Sequence, residues 1–255
     1  MKFHVISDLH IDFSKYDYPF PACDVVVIAG DIGEDPEHLV DICRNNPEHK
    51  IIFIPGNHDF YGASVLSRMI CYSEIQNKIC NNLVVLQDSF VNISGVLFYG
   101  STLWSGLNAY GLNYVNRLKE WYERSIADTR YINSWSSHSM IQEHLQSKSA
   151  LAEFFEKHKE QKKVVITHFA PSLKSVHAQY KNQVPFNSYW CNGFSDDFIS
   201  NADVWIHGHV HNNFDYNVFS EGNLRSCRIV CNPRGYCTEY GKENLEFNSK
   251  LVIEV

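Results

Sequence analysis

The sequence predicts one α/β domain of sandwich type over residues 1–255, and three observations carry that expectation. Five short runs rich in valine and isoleucine are too brief for core helices and read as strands covered on both faces. Segments of helical character lie between them, the alternation of a layered α/β domain. The chain is 255 residues long and 44% hydrophobic, enough to bury a substantial core.

Residues 3–7 form the first run, entered directly from Met1-Lys2 without the apolar stretch and cleavage site of a signal peptide. Residues 24–29 and 50–54 are the next two, with helices expected over 36–45 and 62–77. Two further strand pairs follow. Residues 83–86 and 90–93 precede 95–99 across a short turn, and 213–219 faces 225–230 across Glu221-Gly222-Asn223, a hairpin signal. Residues 105–136 follow Trp104, lack a clean period, carry Trp121 and Trp135, and read as an irregular helical excursion that extends to about 160. The clearest helix is 137–162, with Ile141, Leu145, Leu151, Phe154 and Phe155 as its apolar face and a serine before it as cap. Strands at 163–167 and 203–206 complete the set.

Charge and cysteine usage exclude several function classes. Lysine plus arginine total 22 against 29 acidic residues, a net charge of −7, and no basic run is present. Such a chain is poorly suited to hold nucleic acid through its phosphates. No stretch approaches the ~18–20 apolar residues of a membrane span. The eight cysteines include no C-x-x-C pair and read as free thiols in a reducing, cytoplasmic compartment. Cys227 and Cys231 fall on one face of a strand and are assigned to packing.

Each of the five runs is followed at once by metal-capable or acid–base side chains. The first gives Ser7-Asp8-Leu9-His10, the second Gly30-Asp31, and the third Pro55-Gly56-Asn57-His58-Asp59. The fourth gives Thr167-His168 and the fifth His207-Gly208-His209-Val210-His211. In α/β sheets ligands gather at the carboxyl ends of strands, so these groups are expected to converge in one cleft. Imidazole, carboxylate and amide oxygen without thiolate suit manganese, iron, zinc or related divalent ions. They are too many for one tetrahedral zinc. Two ions ~3.5–4 Å apart, bridged by one carboxylate and a hydroxide, would use them all. Glycines beside Asp31, Asn57 and His209 permit the tight turns required.

This ordered set resembles the calcineurin-like metallophosphoesterase superfamily, whose pattern is D-x-H, G-D, G-N-H-[DE], H, G-H-x-H. All five blocks match between Asp8 and His211. The resemblance implies a four-layer α-β-β-α sandwich of two mixed sheets flanked by helices. It implies two divalent ions (Mn, Fe, Zn or Ni, with Mn favoured), the first held by Asp8, His10 and His211. Asn57, His168 and His209 would hold the second, with Asp31 bridging. His58 would face substrate and protonate the leaving group, with Asn57 beside it and Asp59 holding its ring. More locally, Gly100-Ser101-Thr102-Leu103-Trp104, Asp128-Thr129-Arg130-Tyr131, His168-Phe169-Ala170-Pro171-Ser172 and Cys231-Asn232-Pro233-Arg234-Gly235-Tyr236 are similar to a bacterial and phage branch of predicted phosphohydrolases.

The implied activity is hydrolysis of small phosphodiesters, cyclic-nucleotide or nucleotide-like, by attack of the metal-bridging hydroxide. A phosphomonoesterase or protein phosphatase is the alternative, and an interaction scaffold of the same fold is an alternative of another class. The protein-phosphatase branch continues its second block as G-D-x-V-D-R-G, supplying an arginine. Here the block reads Gly30-Asp31-Ile32-Gly33-Glu34-Asp35, with no cation. Arg234 is a candidate phosphate contact because guanidinium suits oxyanions, with a salt bridge or carbonyl contact as its bland role. Phe60, Tyr61 and Trp104 are candidate pocket walls or core. His207 and His4 read as buried structural residues, whereas His38, His49, His138, His144, His158 and His177 lie in polar contexts and read as solvated. The expected partner is a small-molecule phosphoester, with no membrane; nucleic acid is disfavoured by the acidic balance but stays open as a substrate, as does the oligomeric state.

Overall fold

The computed structural model describes residues 1–16 and 19–255. In chain order the elements are β1 (Lys2–Ile6), β2 (Val25–Ile28), α1 (Glu37–Asn45), β3 (Lys50–Phe53), α2 (Val65–Lys78), β4 (Leu83–Val85), β5 (Ser89–Ile93) and β6 (Val96–Ser101). They continue with α3 (Val115–Ser125), α4 (Asp128–Tyr131), α5 (Ser137–Lys157), β7 (Lys162–Thr167), α6 (Asp196–Ile199), β8 (Val204–His207), β9 (Phe214–Phe219) and β10 (Ser226–Cys231). The short pair β11 (Cys237–Thr238) and β12 (Gly241–Lys242) and the last strand β13 (Val252–Glu254) end the chain.

Two mixed sheets result. The first has the order β13-β1-β2-β3-β4, parallel except for β13. The second has the order β5-β6-β7-β8-β10-β9, parallel in its middle with an antiparallel strand at each edge. Because side chains alternate along a strand, each sheet buries both faces. Phe3, Val5, Val25, Val27, Ile52 and Ile54 meet Phe98, Val164, Ile166, Val204, Ile206 and Val230 between the sheets. Ile6, Val26, Ile28, Ile51 and Phe53 face outward under α1 and α2. Leu97, Tyr99, Val165, Trp205 and Ile229 face outward under α5. These layers are the expected four-layer α-β-β-α sandwich. No helix among the described residues is long and apolar enough to cross a membrane.

Three local expectations need correction. Residues 83–85 do not join the strand group of 90–99. They pair parallel to β3 in the first sheet, while β5 and β6 form the hairpin in the second. The chain changes sheets at Gln87-Asp88, where Asp88 adopts a left-handed φ of 48°. The long helix ends at Lys157, not 162, and the ammonium of Lys163 donates to the carbonyls of His158, Lys159 and Gln161 beyond that end. Its buried stripe is also rotated. Leu145 is exposed, whereas Met140, His144, Ser147, Leu151 and Phe154 point inward. The reason is that the helix packs on polar groups of the loops: the His144 ring nitrogen Nδ1 bonds the Trp104 carbonyl at 2.8 Å, and Ser147 donates to the Asp88 carboxylate. His144 is therefore a buried structural residue. Ser136 caps the helix as expected, accepting from the Ser139 amide. His4 and His207 are buried, and all eight cysteines are free.

The excursion between β6 and α5 is a second, smaller core. Leu107, Leu118, Tyr122, Ile132 and Met140 pack with Phe60, Tyr61, Trp104, Phe169 and Tyr189. It lies against the strand ends that carry the motifs, which is how it reaches the site.

Candidate metal centre

β1, β2 and β3 of one sheet and β7 and β8 of the other run parallel within their sheets, and the five motif loops all leave from their carboxyl ends. The loops double back sharply. Asp8, His10, Asp31, His209 and His211 all lie on left-handed backbone, with φ between 42° and 70°. Aspartate and histidine tolerate that region better than most residues, and such strain persists where packing fixes it. Two glycines make room. A Cβ on Gly56 would lie 2.2 Å from Asp31 Oδ1 and 2.6 Å from the His168 ring, and one on Gly208 would lie 2.7 Å from Asp8 Oδ2.

The side chains gather in three overlapping groups, one of which joins His10, Asp31 and His58, so that Asp31 links the two outer groups. Ligand atoms of Asp8, His10 and His211 lie within 4.8 Å of one another, as do those of Asp31, His168 and His209. Asp31 Oδ2 is 3.8 Å from His10 Nε2 and 3.3 Å from His168 Nε2, between the two halves. Asn57 Oδ1 is 3.0 Å from His168 Nε2. All seven sequence-predicted ligands are thus brought together.

The donor set fits divalent cations. His168 Nδ1 lies 2.9 Å from the Ala29 carbonyl, which only accepts, so Nδ1 carries the proton and the Nε2 lone pair is turned toward Asn57 and Asp31 oxygens. His211 Nδ1 faces Glu243 Oε2 at 2.5 Å, which turns its Nε2 toward Asp8 and His10. His209 Nε2 is buried with no partner among the described residues. Lone pairs pointed at other acceptors need a positive charge between them. Without an ion, protons supply it. Burial works against a charged imidazole, but Asp31 raises His168 to about 9, and Asp8 with Glu243 raises His211 to about 10. Each half therefore holds one imidazolium where a cation fits. Burial instead lowers His10 to about 3 and, with His168 nearby, holds His209 well below the usual range. Burial acts to raise Asp31 and Asp8, yet the surrounding imidazoles keep Asp31 far below the carboxylate norm and Asp8 at about 2.

Two expected roles are overturned. Asp59 does not hold the His58 ring. Its carboxylate is buried and accepts from the backbone amides of Asp31 at 2.6 Å, Gly56 at 2.7 Å and Ile32 at 3.0 Å, tying the second and third loops together. His58 is oriented otherwise: its ring packs against Tyr61 at a tilt of 31° with centroids 4.3 Å apart, its Nε2 is 3.1 Å from the Tyr236 hydroxyl, and its amide donates to Asp31. Arg234 does not reach the site. It is buried, and its guanidinium donates to the carbonyls of Leu9, Ser14 and Lys15. Four of the five donors of the guanidinium fork are used in clamping the loop after β1.

A cavity of about 370 Å³ opens over the cluster. Asp31, Asn57, His58, His209 and His211 form its floor. Ile126, Ala127, Val176, Tyr180, Tyr189 and Trp190 contribute walls, with Tyr61 and Tyr236 beside His58. Of the proposed aromatic walls only Tyr61 lines it; Phe60 and Trp104 are core. Its described lining contains no lysine or arginine. Sequence reading assigned no role to Asp128, Tyr236 or Glu243. Asp128 and Tyr236 lay in the family-like segments, but Glu243 gave no signal, because its contact with His211 is made only in the folded chain.

Carboxylates and imidazoles delivered to one point by two stacked sheets define a metal-dependent hydrolase. The chain belongs to the calcineurin-like phosphoesterase family, whose model matches residues 1–213, and it is a metal-dependent phosphoric ester hydrolase. It is 24% identical to "Uncharacterized protein L509" of Acanthamoeba polyphaga mimivirus, an alignment that covers 98% of this chain and 95% of that one. Its fold is similar to that of the phosphopantetheinyl hydrolase PptH from Mycobacterium tuberculosis, with a TM-score of 0.70 at 16% identity over 92% of this chain and 89% of the other.

Proposed function

We propose that this enzyme hydrolyses small phosphodiesters and uses two divalent ions, Mn²⁺ by preference. Asp8, His10 and His211 would hold one ion, Asn57, His168 and His209 the other, and Asp31 both. When bound, such ions polarise phosphoryl oxygens and lower the pKa of water toward neutrality. His58, which lines the cavity, would give a proton to the departing alkoxide, and its Nε2 lies 3.1 Å from the Tyr236 hydroxyl. Tyr61 beneath the ring fixes its plane.

The observation that carries the diester reading is the absence of any guanidinium or ammonium from the described cavity lining. A phosphomonoester arrives as a dianion with three free oxygens, and enzymes that prefer it gain from added fixed cations. A diester is a monoanion with two free oxygens, and needs less. Arg234 is engaged by carbonyls, and the second motif block offers Glu34 and Asp35 instead of arginine. The cavity volume suits a small organic ester.

The test compares kcat/KM for a bis-aryl phosphate and the matching aryl monophosphate, at one pH with saturating Mn²⁺. The diester should be preferred. Preference for the monoester, or turnover of phosphopeptides alone, would replace this reading with a phosphomonoesterase.

A further inference from the structure

Asp128 opens α4 within the helical excursion, and its carboxylate is fully buried. It accepts four hydrogen bonds: from Asn57 Nδ2 and the Tyr61 hydroxyl on Oδ1, both at 2.9 Å, and from the hydroxyls of Tyr122 at 3.0 Å and Tyr189 at 2.9 Å on Oδ2. An ionised carboxylate offers about four acceptor positions and no donor, so each is occupied by a donor. A carboxylate buried among neutral donors is retained at a cost in desolvation.

The arrangement settles which end of the Asn57 amide faces the metal centre. The two ends of an asparagine amide are nearly equal in shape, and rotation by 180° exchanges oxygen for NH2. Only the oxygen can ligate a cation. Because Asp128 accepts and cannot donate, the NH2 must face it, and Oδ1 is left pointing at His168 Nε2. The same carboxylate holds the hydroxyl of Tyr61, the ring against which His58 packs. We propose that Asp128 is a positioning residue that locks the Asn57 oxygen toward the second ion, an inference that rests on the ligand assignment proposed above. The excursion then contributes to ion binding as well as to the cavity wall at Ile126 and Ala127.

Titration of metal-free protein with Mn²⁺ tests this. Asp128→Leu, close in shape and without an acceptor, should weaken the second equivalent by about 10–100-fold, the usual scale for a lost ligand-orienting partner, and leave the first unchanged. The double variant Asn57→Asp/Asp128→Asn inverts the pair: the new carboxylate faces the ion and accepts from the new amide, so the second equivalent should return. Tyr122→Phe removes a donor from the same carboxylate without touching Asn57, and should leave both equivalents intact. Wild-type affinity for both equivalents in Asp128→Leu would overturn the proposal, as would failure of the inverted pair to recover while its thermal unfolding is native. In Zn²⁺-loaded wild-type protein the Asn57 side-chain NH2 should exchange slowly with solvent, and fast exchange would overturn it without any variant. Fewer than two equivalents in the wild type, or an unaltered second equivalent in Asn57→Ala, would remove the ligand assignment and this proposal with it.

Discussion

The two halves of the metal centre are built from similar side chains but braced in different ways. Asn57, His168 and His209 are buried, and their braces are the Ala29 carbonyl at the end of β2 and the buried carboxylate of Asp128. In the other half Asp8 and His10 are just as buried, and only His211 reaches the mouth of the cavity, where its side chain is 15% exposed and leans on Glu243, itself 43% exposed. A brace made of sheet backbone moves only if the sheet moves. A brace on a loop beyond β12 moves with that loop. The buried half is thus preorganised by the core alone, and the mouth half takes one brace, that of His211, from a segment outside it. Ion retention and exchange should differ accordingly, and the following perturbations separate the halves or show that they act as one.

The largest effect is expected where the halves meet. Asp31→Ala removes the carboxylate that faces both His10 and His168, and also an acceptor for the His58 amide. Both ions and all turnover should be lost. Metal analysis of the purified variant checks this, and normal occupancy with normal turnover would break the two-half description at its centre.

How much of this was legible in the sequence follows the same division. The ligands stand directly after Val/Ile-rich strands, so period and residue type alone placed Asp8, His10, Asp31, Asn57, His168, His209 and His211 at strand ends. Their braces were not legible. Asp59 serves backbone amides, and an acceptor for backbone leaves no pattern in residue order. Arg234 sits in a motif-like turn, yet its guanidinium reaches carbonyls more than 200 residues away in sequence. Glu243 meets His211 across 32 residues of chain. The helix stripe around His144 was misread because that face packs on loop backbone, where a hydrogen-bonding imidazole fits better than Leu145. β13 has three residues, too few to show alternation.

His58→Ala should come next in size. The ions should remain: a ring nitrogen of His58 comes within 4.8 Å of His10 and Asp31, but its Nε2 is engaged by the Tyr236 hydroxyl and the other seven ligands stay in place. Turnover should fall by roughly 10²–10⁴ for alkyl esters. The loss should shrink for a leaving group that departs without a proton. Equal loss on aryl and alkyl esters would make His58 a charge stabiliser instead.

Glu243→Gln sharpens the comparison directly. It removes the charge that holds His211 in place while keeping the shape of the side chain. The mouth-half ion should bind about 10–100-fold more weakly, and the buried-half ion should be unaffected. Dialysis against graded chelator, followed by metal analysis, distinguishes the two. Equal loss of both ions would mean that the halves are coupled through Asp31 more strongly than their separate braces imply.

The smallest effect concerns protons in place of ions. In metal-free protein His168 and His211 are raised to about 9 and about 10 from an ordinary value of 6.5. Such groups bind protons more tightly folded than unfolded, so their contribution to stability is complete below pH 6.5 and is lost as pH climbs through 9 and 10. Burial raises the thiols of Cys191 and Cys227, which weakens the folded state over the upper part of that range too. That loss is common to metal-free and metal-loaded protein, so the informative quantity is the gain in Tm on adding Mn²⁺. An ion must displace the two protons, and its apparent affinity rises as they become easier to remove. The gain should therefore grow steadily from pH 6.5 to 9. In Glu243→Gln the proton on His211 has lost one of its two partners, so the mouth half should contribute less to this rise while His168 contributes as before. A gain independent of pH in the wild type would show that neither half traps a proton, and would remove the electrostatic basis for reading each as a cation site.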